Sequence, residues 1–279
     1  MVAGLVSLTT FNASGDILQV IPEMGDLERW AVFSLGLGRH KSQASGQSYI
    51  GGDLGVAGNG KFALRGEAII DGDVYHPSIG LFTFEDRGSI TGAIFNNQDA
   101  ELNNGVSEAL GTSEHAFDLS PTQSLPTLNL QGSESMTIVG APGETVVLSL
   151  RNFVLSGNAA FTLQGTATTN FIINVRKKFL LSGSAHISLL GVQWNDVLFN
   201  IHGRNSTVSL RGNSVFEGIL MADDRMVRLR GRSLVIGEII ARRVNLRGNS
   251  RVNHPPIVSP SAAVLPDGND EIGMRSLRP

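Results

Sequence analysis

The side chains best suited to chemistry in this sequence are charged, and they fall into two patterns. Asp71 and Asp73 flank Gly72, and strand alternation would put both carboxylates on one face, as a calcium site or a general acid/base pair requires. The same triplet is also ordinary turn chemistry, which is the reading adopted, and Asp223 and Asp224 in Ala222-Asp-Asp-Arg225 are read the same way. The second pattern is basic. Arg211, Arg230 and Arg247 each follow a leucine and precede a glycine in three successive copies of one short phrase. If the leucines point inward, the arginines point outward and stack. Like charges held that close repel unless anions intervene, so the ladder either invites an acidic partner or is a solvated face tempered by Glu217, Asp223, Asp224 and Glu238.

Other reactive constellations are missing. The six histidines, His40, His76, His115, His186, His202 and His254, show no His-x-x-x-His spacing, so no zinc site is expected. There is no cysteine, no Gly-x-Ser-x-Gly elbow and no phosphate-cradling loop followed by Lys-Ser or Lys-Thr. These gaps favour a protein with no cofactor, no metal and no catalytic residue. Charge is unevenly spread: residues 204–251 hold ten arginines against four acids, a net of +6, whereas residues 1–203 hold ten basic and 18 acidic side chains, a net of −8. Stacked in sequence order, such a chain would be a rod with one acidic and one basic end. A total of −3 with few aromatics beside the arginines argues against nucleic acid.

The elements that position these residues come from a repeat. The phrase apolar-x-Leu-x-Gly recurs as Leu128-Asn-Leu-Gln-Gly132, Phe153-Val-Leu-Ser-Gly157, Phe179-Leu-Leu-Ser-Gly183, Val208-Ser-Leu-Arg-Gly212, Val227-Arg-Leu-Arg-Gly231 and Val244-Asn-Leu-Arg-Gly248, with an earlier copy at Phe62-Ala-Leu-Arg-Gly66. Its runs have strand length and period two, and 33 glycines in 279 residues punctuate them. Return of one phrase every 17 to 29 residues fits a coil of stacked parallel strands, in which each rung supplies part of a core that its neighbours complete. Nine or ten such rungs, roughly 4.8 Å apart, would make a body about 45 Å long. Leu155, Leu181, Leu210, Leu229 and Leu246 should form one inward stack.

One segment departs from this pattern. Leu102, Val106, Ala109 and Leu110 fall at helical spacing, Asn97 or Asp99 offers a cap and Gly111 a stop, so one amphipathic helix is expected near residues 97–111, packed along the side. Residues 1–29 form a strand segment of their own, in which Leu5, Val6, Leu8 and Phe11 could cap the body or add to a neighbouring copy. Residues 30–256 form the body, and 257–279 read as a tail or linker. No apolar run approaches the roughly 20 residues of a spanning helix, and no signal peptide is visible.

Tyr49-Ile-Gly-Gly-Asp-Leu-Gly-Val-Ala57, Ile70-Asp-Gly-Asp-Val74, Asn97-Gln-Asp99, Leu119-Ser-Pro-Thr-Gln123, Phe171-Ile-Ile-Asn-Val175, Gly218-Ile-Leu-Met-Ala222 and Val252-Asn-His-Pro255, taken as an ordered set over Trp30 to Pro256, resemble bacterial choice-of-anchor A or collagen-binding-like surface domains. In organisation these are similar to ice-binding proteins of the domain-of-unknown-function 3494 type. The resemblance implies an all-β, discontinuous right-handed parallel β-solenoid with one α-helix along its side, an extracellular or cell-surface location, and no enzymatic activity.

From this follows the expectation of a non-enzymatic structural or adhesive protein, able to self-associate head to tail in a surface fibre and to contact extracellular polysaccharide or protein. An ice-binder, a polysaccharide-active β-helix enzyme and a bactofilin-like polymer are the alternatives. Ice binding is placed below adhesion because, of 14 threonines, only Thr207 lies beyond residue 170, where the rungs are most regular, and Thr162, Thr166, Thr168 and Thr169 look like a loop cluster.

Overall fold

Each phrase closes at a glycine whose backbone lies in the left-handed region, with φ of +82° at Gly212 and +77° at Gly231. A Cβ on Gly231 would sit 2.8 Å from the carbonyl oxygen of Gly212, the same oxygen that accepts the amide hydrogen of Arg232 at 2.7 Å. The rungs approach this closely because neither corner residue carries a side chain. The computed structural model, which describes residues 27–37, 41–85, 87–203 and 207–257, stacks strands in parallel around this corner.

Register then follows. Leu155 pairs with Leu181, Leu181 with Leu210, Leu210 with Leu229 and Leu229 with Leu246, and all five are fully buried, as expected. The row continues into Ala44 and Leu64. Each full rung contributes three strand segments, so the core is a prism lined by three inward rows. Phe153, Phe161, Phe179, Phe199 and Phe216 meet at its centre, with the Phe153 and Phe179 rings stacked at 5.1 Å.

Rung order does not follow the sequence. Along one face the strands run Leu128–Leu130, Thr145–Leu155, Asn170–Gly183, Val208–Gly212, Val215–Gly231 and Leu234–Gly248, and the next strands are Lys41–Gly46, Lys61–Gly66 and Leu81–Phe84. The basic stretch of residues 204–251 therefore lies inside the stack, between rungs of residues 30–95 and 128–200. The rod with an acidic and a basic end, inferred from sequence order, is corrected by this arrangement.

A helix, Asp99–Asp118, carries the chain from one end to the other. It is longer than the expected 97–111, and neither Asn97 nor Asp99 caps it: Gln98 stands at the cap without a side-chain bond, and the Asp99 carboxylate accepts from the Ser78 amide instead. Gly111 does not stop it, because Thr112, Ser113 and Ala116 continue the buried face of Leu102, Gly105 and Ala109. Leu110 is exposed. A Cβ on Gly105 would touch Phe33 at 3.0 Å, while Ser113 bonds Asn200 at 2.9 Å and Asn174 donates to the Ala116 carbonyl at 2.6 Å. From Gly105 to Ser113 the helix advances about 12 Å, and the three rung steps from Phe33 to Asn200 span about 14 Å, so helix and stack run together. The contact is sealed by Val147, Ile172, Leu198, Ile219 and Ile240.

One buried group opposes this packing. Glu238 is fully buried between the helix-side rows, and neither of its carboxylate oxygens has a hydrogen-bond partner among the described residues. Burial, reinforced by the charge of Glu28, pushes its carboxyl well above the usual range.

Truncating Leu210 to alanine should cost about 2–5 kcal/mol, read from urea midpoints, because the rigid rungs on either side cannot collapse into the space. Glu238 holds its proton in the folded state at pH values where the unfolded chain, with a carboxyl near 4.5, has lost it. Its stabilising contribution is complete below that value and is lost as pH rises through the raised folded value. Glu238→Gln should therefore raise the urea midpoint at pH 7 and flatten its decline as pH rises above about 4.5.

Candidate binding faces

Helix packing covers one side of the prism, and among the described residues two outer faces stay open. The first carries the arginine ladder. Arg211 pairs with Arg230 and Arg230 with Arg247, one guanidinium per rung, and all three are exposed. Rungs before and after supply Ser182 and Ser45, and Arg65 follows. Arg65 and Lys41 both reach Glu85, at 2.9 and 3.6 Å, at the far end of this face. Among the described residues no carboxylate lies within 4.0 Å of Arg211, Arg230 or Arg247. Crowding is felt beside them: burial, then the charges of Arg230, Arg247 and Arg243, lowers the pKa of Arg228. Alongside Arg211 the face dips into a groove of about 520 Å³ lined by Asn129, Gln131, Asn152, Ser156, Lys178 and Ser182, with no aromatic ring.

The second face is nearly free of charge at one end. Strands Ser135–Val139, Ala160–Gln164 and His186–Leu190 pair without a break in register, which aligns Ser135 with Ala160 and His186, Thr137 with Thr162 and Ser188, and Val139 with Gln164 and Leu190. Alternate residues point outward, giving a three-by-three array with repeats of about 4.8 Å across the strands and about 6.7 Å along them. Thr162 and Ser188 hydroxyls lie 3.2 Å apart, and Val139 and Leu190 are 59% and 56% exposed. Pairing of His186–Leu190 with the next rung holds only at His186 and Val215, and the Glu217 carboxylate, its pKa raised by burial, accepts the Leu189 amide beyond that point. A flat, hydroxyl- and methyl-bearing patch thus ends where Glu217 begins.

This short row of hydroxyls was not legible where regular rungs suggested looking for it. It uses Thr137 and Thr162, before residue 170, and continues as a serine rather than a threonine. The rest of the threonine cluster behaves as expected of a loop: Thr166, Thr168 and Thr169 bond one another at 3.1 and 3.2 Å, and Thr169 holds the Ala141 carbonyl at 2.9 Å.

The aspartate pairs are structural. Asp71 accepts from the Tyr49 hydroxyl at 2.7 Å and from Thr91 at 2.8 Å, bonds that hold its carboxyl below the usual range. Asp73 accepts the Ala93 amide at 2.7 Å at a corner. Asp223 is buried and sits beside Arg225, whose guanidinium grips the carbonyls of Arg176, Lys177, His202 and Gly203 where two rungs change register. Among the described residues no group of three His, Asp or Glu is placed to hold a metal ion, and no helix is long and apolar enough to cross a membrane. Leu5, Val6, Leu8 and Phe11 lie outside the described residues, as do residues 258–279.

Comparison with known proteins agrees with this geometry. Residues 34–254 match the model of a family described as an ice-binding-like adhesive domain. Among solved structures, an ice-binding protein from the Antarctic ascomycete Antarctomyces psychrotrophicus superposes with a TM-score of 0.55 at 16% identity, covering 84% of this chain and 98% of that one. An ice-binding protein from an Arctic yeast superposes at 0.53 and 15% identity, covering 85% and 95%. At these identities the likeness is one of fold. No curated protein sequence matches the chain.

Proposed function

The chain belongs to the ice-binding-like adhesive domain family, and we propose that it is a non-enzymatic, extracellular domain that adheres to ice through the array centred on Thr162. The observation that carries this reading is the unbroken register of three strands whose nine outward residues include no Asp, Glu, Lys or Arg. Charged side chains keep mobile hydration shells of their own, whereas methyl groups restrict the orientation of first-shell water and hydroxyls fix it by hydrogen bonds. A rigid array of both can hold a water layer that a crystal continues. The names of the matched structures support ice over other solids. It also reverses the order expected from the sequence, where adhesion in a fibre stood first.

Head-to-tail assembly remains the second reading, supported by Phe84, Ile94 and Phe95, which are exposed on the strands at one end of the stack. It no longer has an electrostatic polarity to favour it.

A fluorescently labelled chain should be taken up by a slowly growing ice hemisphere and should inhibit recrystallisation. Thr162→Tyr, which lifts a ring out of the centre of the array, should lose most of both effects with an unchanged melting temperature. Exclusion of the intact chain from ice, or full activity in the variant, would overturn the proposal.

A further inference from the structure

We infer that the arginine face is a second binding site, for an acidic polysaccharide laid along the solenoid axis. Three guanidiniums in register, exposed and without carboxylate partners among the described residues, form a line of positive charge with one fork per rung. Arg247 donates to Asn245 Oδ1 at 3.1 Å within its own strand, but among the described residues no carboxylate offsets the repulsion along the row; a line of anions removes it and offers acceptors to the guanidiniums. Continuing the same line, the groove beside Arg211 presents Asn129, Gln131, Asn152, Ser156 and Ser182. These amides and hydroxyls both donate and accept, which suits the hydroxyls of a sugar ring.

The two halves of the site together ask for a polymer that carries carboxylates and many hydroxyls, and a uronic-acid chain supplies both at a spacing comparable to the rungs. Nucleic acid fits less well, because no aromatic ring lines the groove on which a base could stack. An acidic peptide would satisfy the arginines and leave the hydroxyl-seeking groove unused. This inference rests on a different face from the ice-binding reading and stands or falls without it.

The test is titration of the full chain with sodium polygalacturonate by calorimetry, with neutral dextran and single-stranded DNA as comparisons. The intact chain should bind polygalacturonate more tightly than DNA and should not bind dextran. Binding should weaken with added salt, as the screening length falls from about 10 Å at 0.1 M to about 3 Å at 1 M. The triple variant Arg211→Gln, Arg230→Gln, Arg247→Gln should lose about tenfold or more in affinity, and the single Arg230→Gln a smaller part of it, with melting temperatures as controls. Asn152→Ala should weaken polygalacturonate and leave DNA unchanged, whereas Thr162→Tyr on the other face should alter neither. Absence of polygalacturonate binding at low salt, equal affinity for DNA, or undiminished affinity in the triple variant would overturn the assignment.

Discussion

Close stacking at the glycine corner sets the terms for the other features of the fold. Where Gly231 lies over Gly212 and Gly248 over Gly231, the carbonyl oxygen of one rung occupies the space a Cβ would need in the next, at 2.8 and 3.1 Å. The left-handed φ at each of these corners is cheap only for glycine, so the chain turns at the same point in each rung that carries the phrase. A fixed corner fixes the register, and in parallel strands register decides which side chains become neighbours. Five leucines are thereby buried as one row, and the arginines that follow three of them are forced into another. The core and the ladder are two consequences of one backbone constraint. Because the side-chain period is two, a slip of one residue at any corner would bury guanidiniums and expose leucines, a cost large enough to exclude the slipped form.

The helix accounts for the order of the rungs. Residues 30–95 build one part of the stack and residues 128–253 the other, and the twenty-residue helix between them runs back along the outside. The described chain therefore enters and leaves at the same level: a Cβ on Gly52 would meet Ala31 at 3.0 Å and His254 at 3.1 Å. Among the described residues, both ends of the prism are made of segments internal to the chain. The joint between the two parts needs no covalent continuity, since Val32 pairs with Ile239 and Ala44 with Leu246 in the same register as any other rung. Asn174 and Asn200, buried and bonded to Ser113 and to the Ala116 carbonyl, fix where along the stack the helix lies, because a shift would leave their amides unpaired.

What was legible in the sequence is what the corner repeats. The leucine row and the outward arginines were readable from spacing alone, since both depend on a period of two. Gly46 belongs to the same row, but Ser42-Gln-Ala-Ser-Gly46 lacks the leucine that marks other copies, and Ala44 fills its place. Rung order was not readable, because parallel pairing between residues 43–46 and 245–248 leaves no trace in local pattern. The helix end was misjudged at Gly111 because tertiary contacts of Ser113 and Ala116 outweigh a weak local stop. The hydroxyl row escaped notice because its three members are 25 and 26 residues apart and one is a serine. Chemical equivalence on a face tolerates Thr-to-Ser exchange, and a search for a single residue type does not.

The two proposed sites lie on chemically distinct faces of one prism. Ice offers an uncharged plane and is best met by a surface that orders water without competing charges, whereas a polyanion is best met by fixed cations that release bound counterions. A single face could not do both, since guanidiniums among the hydroxyls would disturb the water layer. Here the two faces are separated by a corner that recurs at Gly132, Gly157, Gly183, Gly212, Gly231 and Gly248. Arg228 lies among like charges, its pKa lowered by burial and then by Arg230, Arg247 and Arg243, while the half-buried Glu217 carboxylate accepts the Leu189 amide where the hydroxyl array ends. Under the two proposals, such a body would meet a solid on one side and an acidic chain on the other without rearrangement, because rungs that stack through their main chains leave little freedom for either face to adapt.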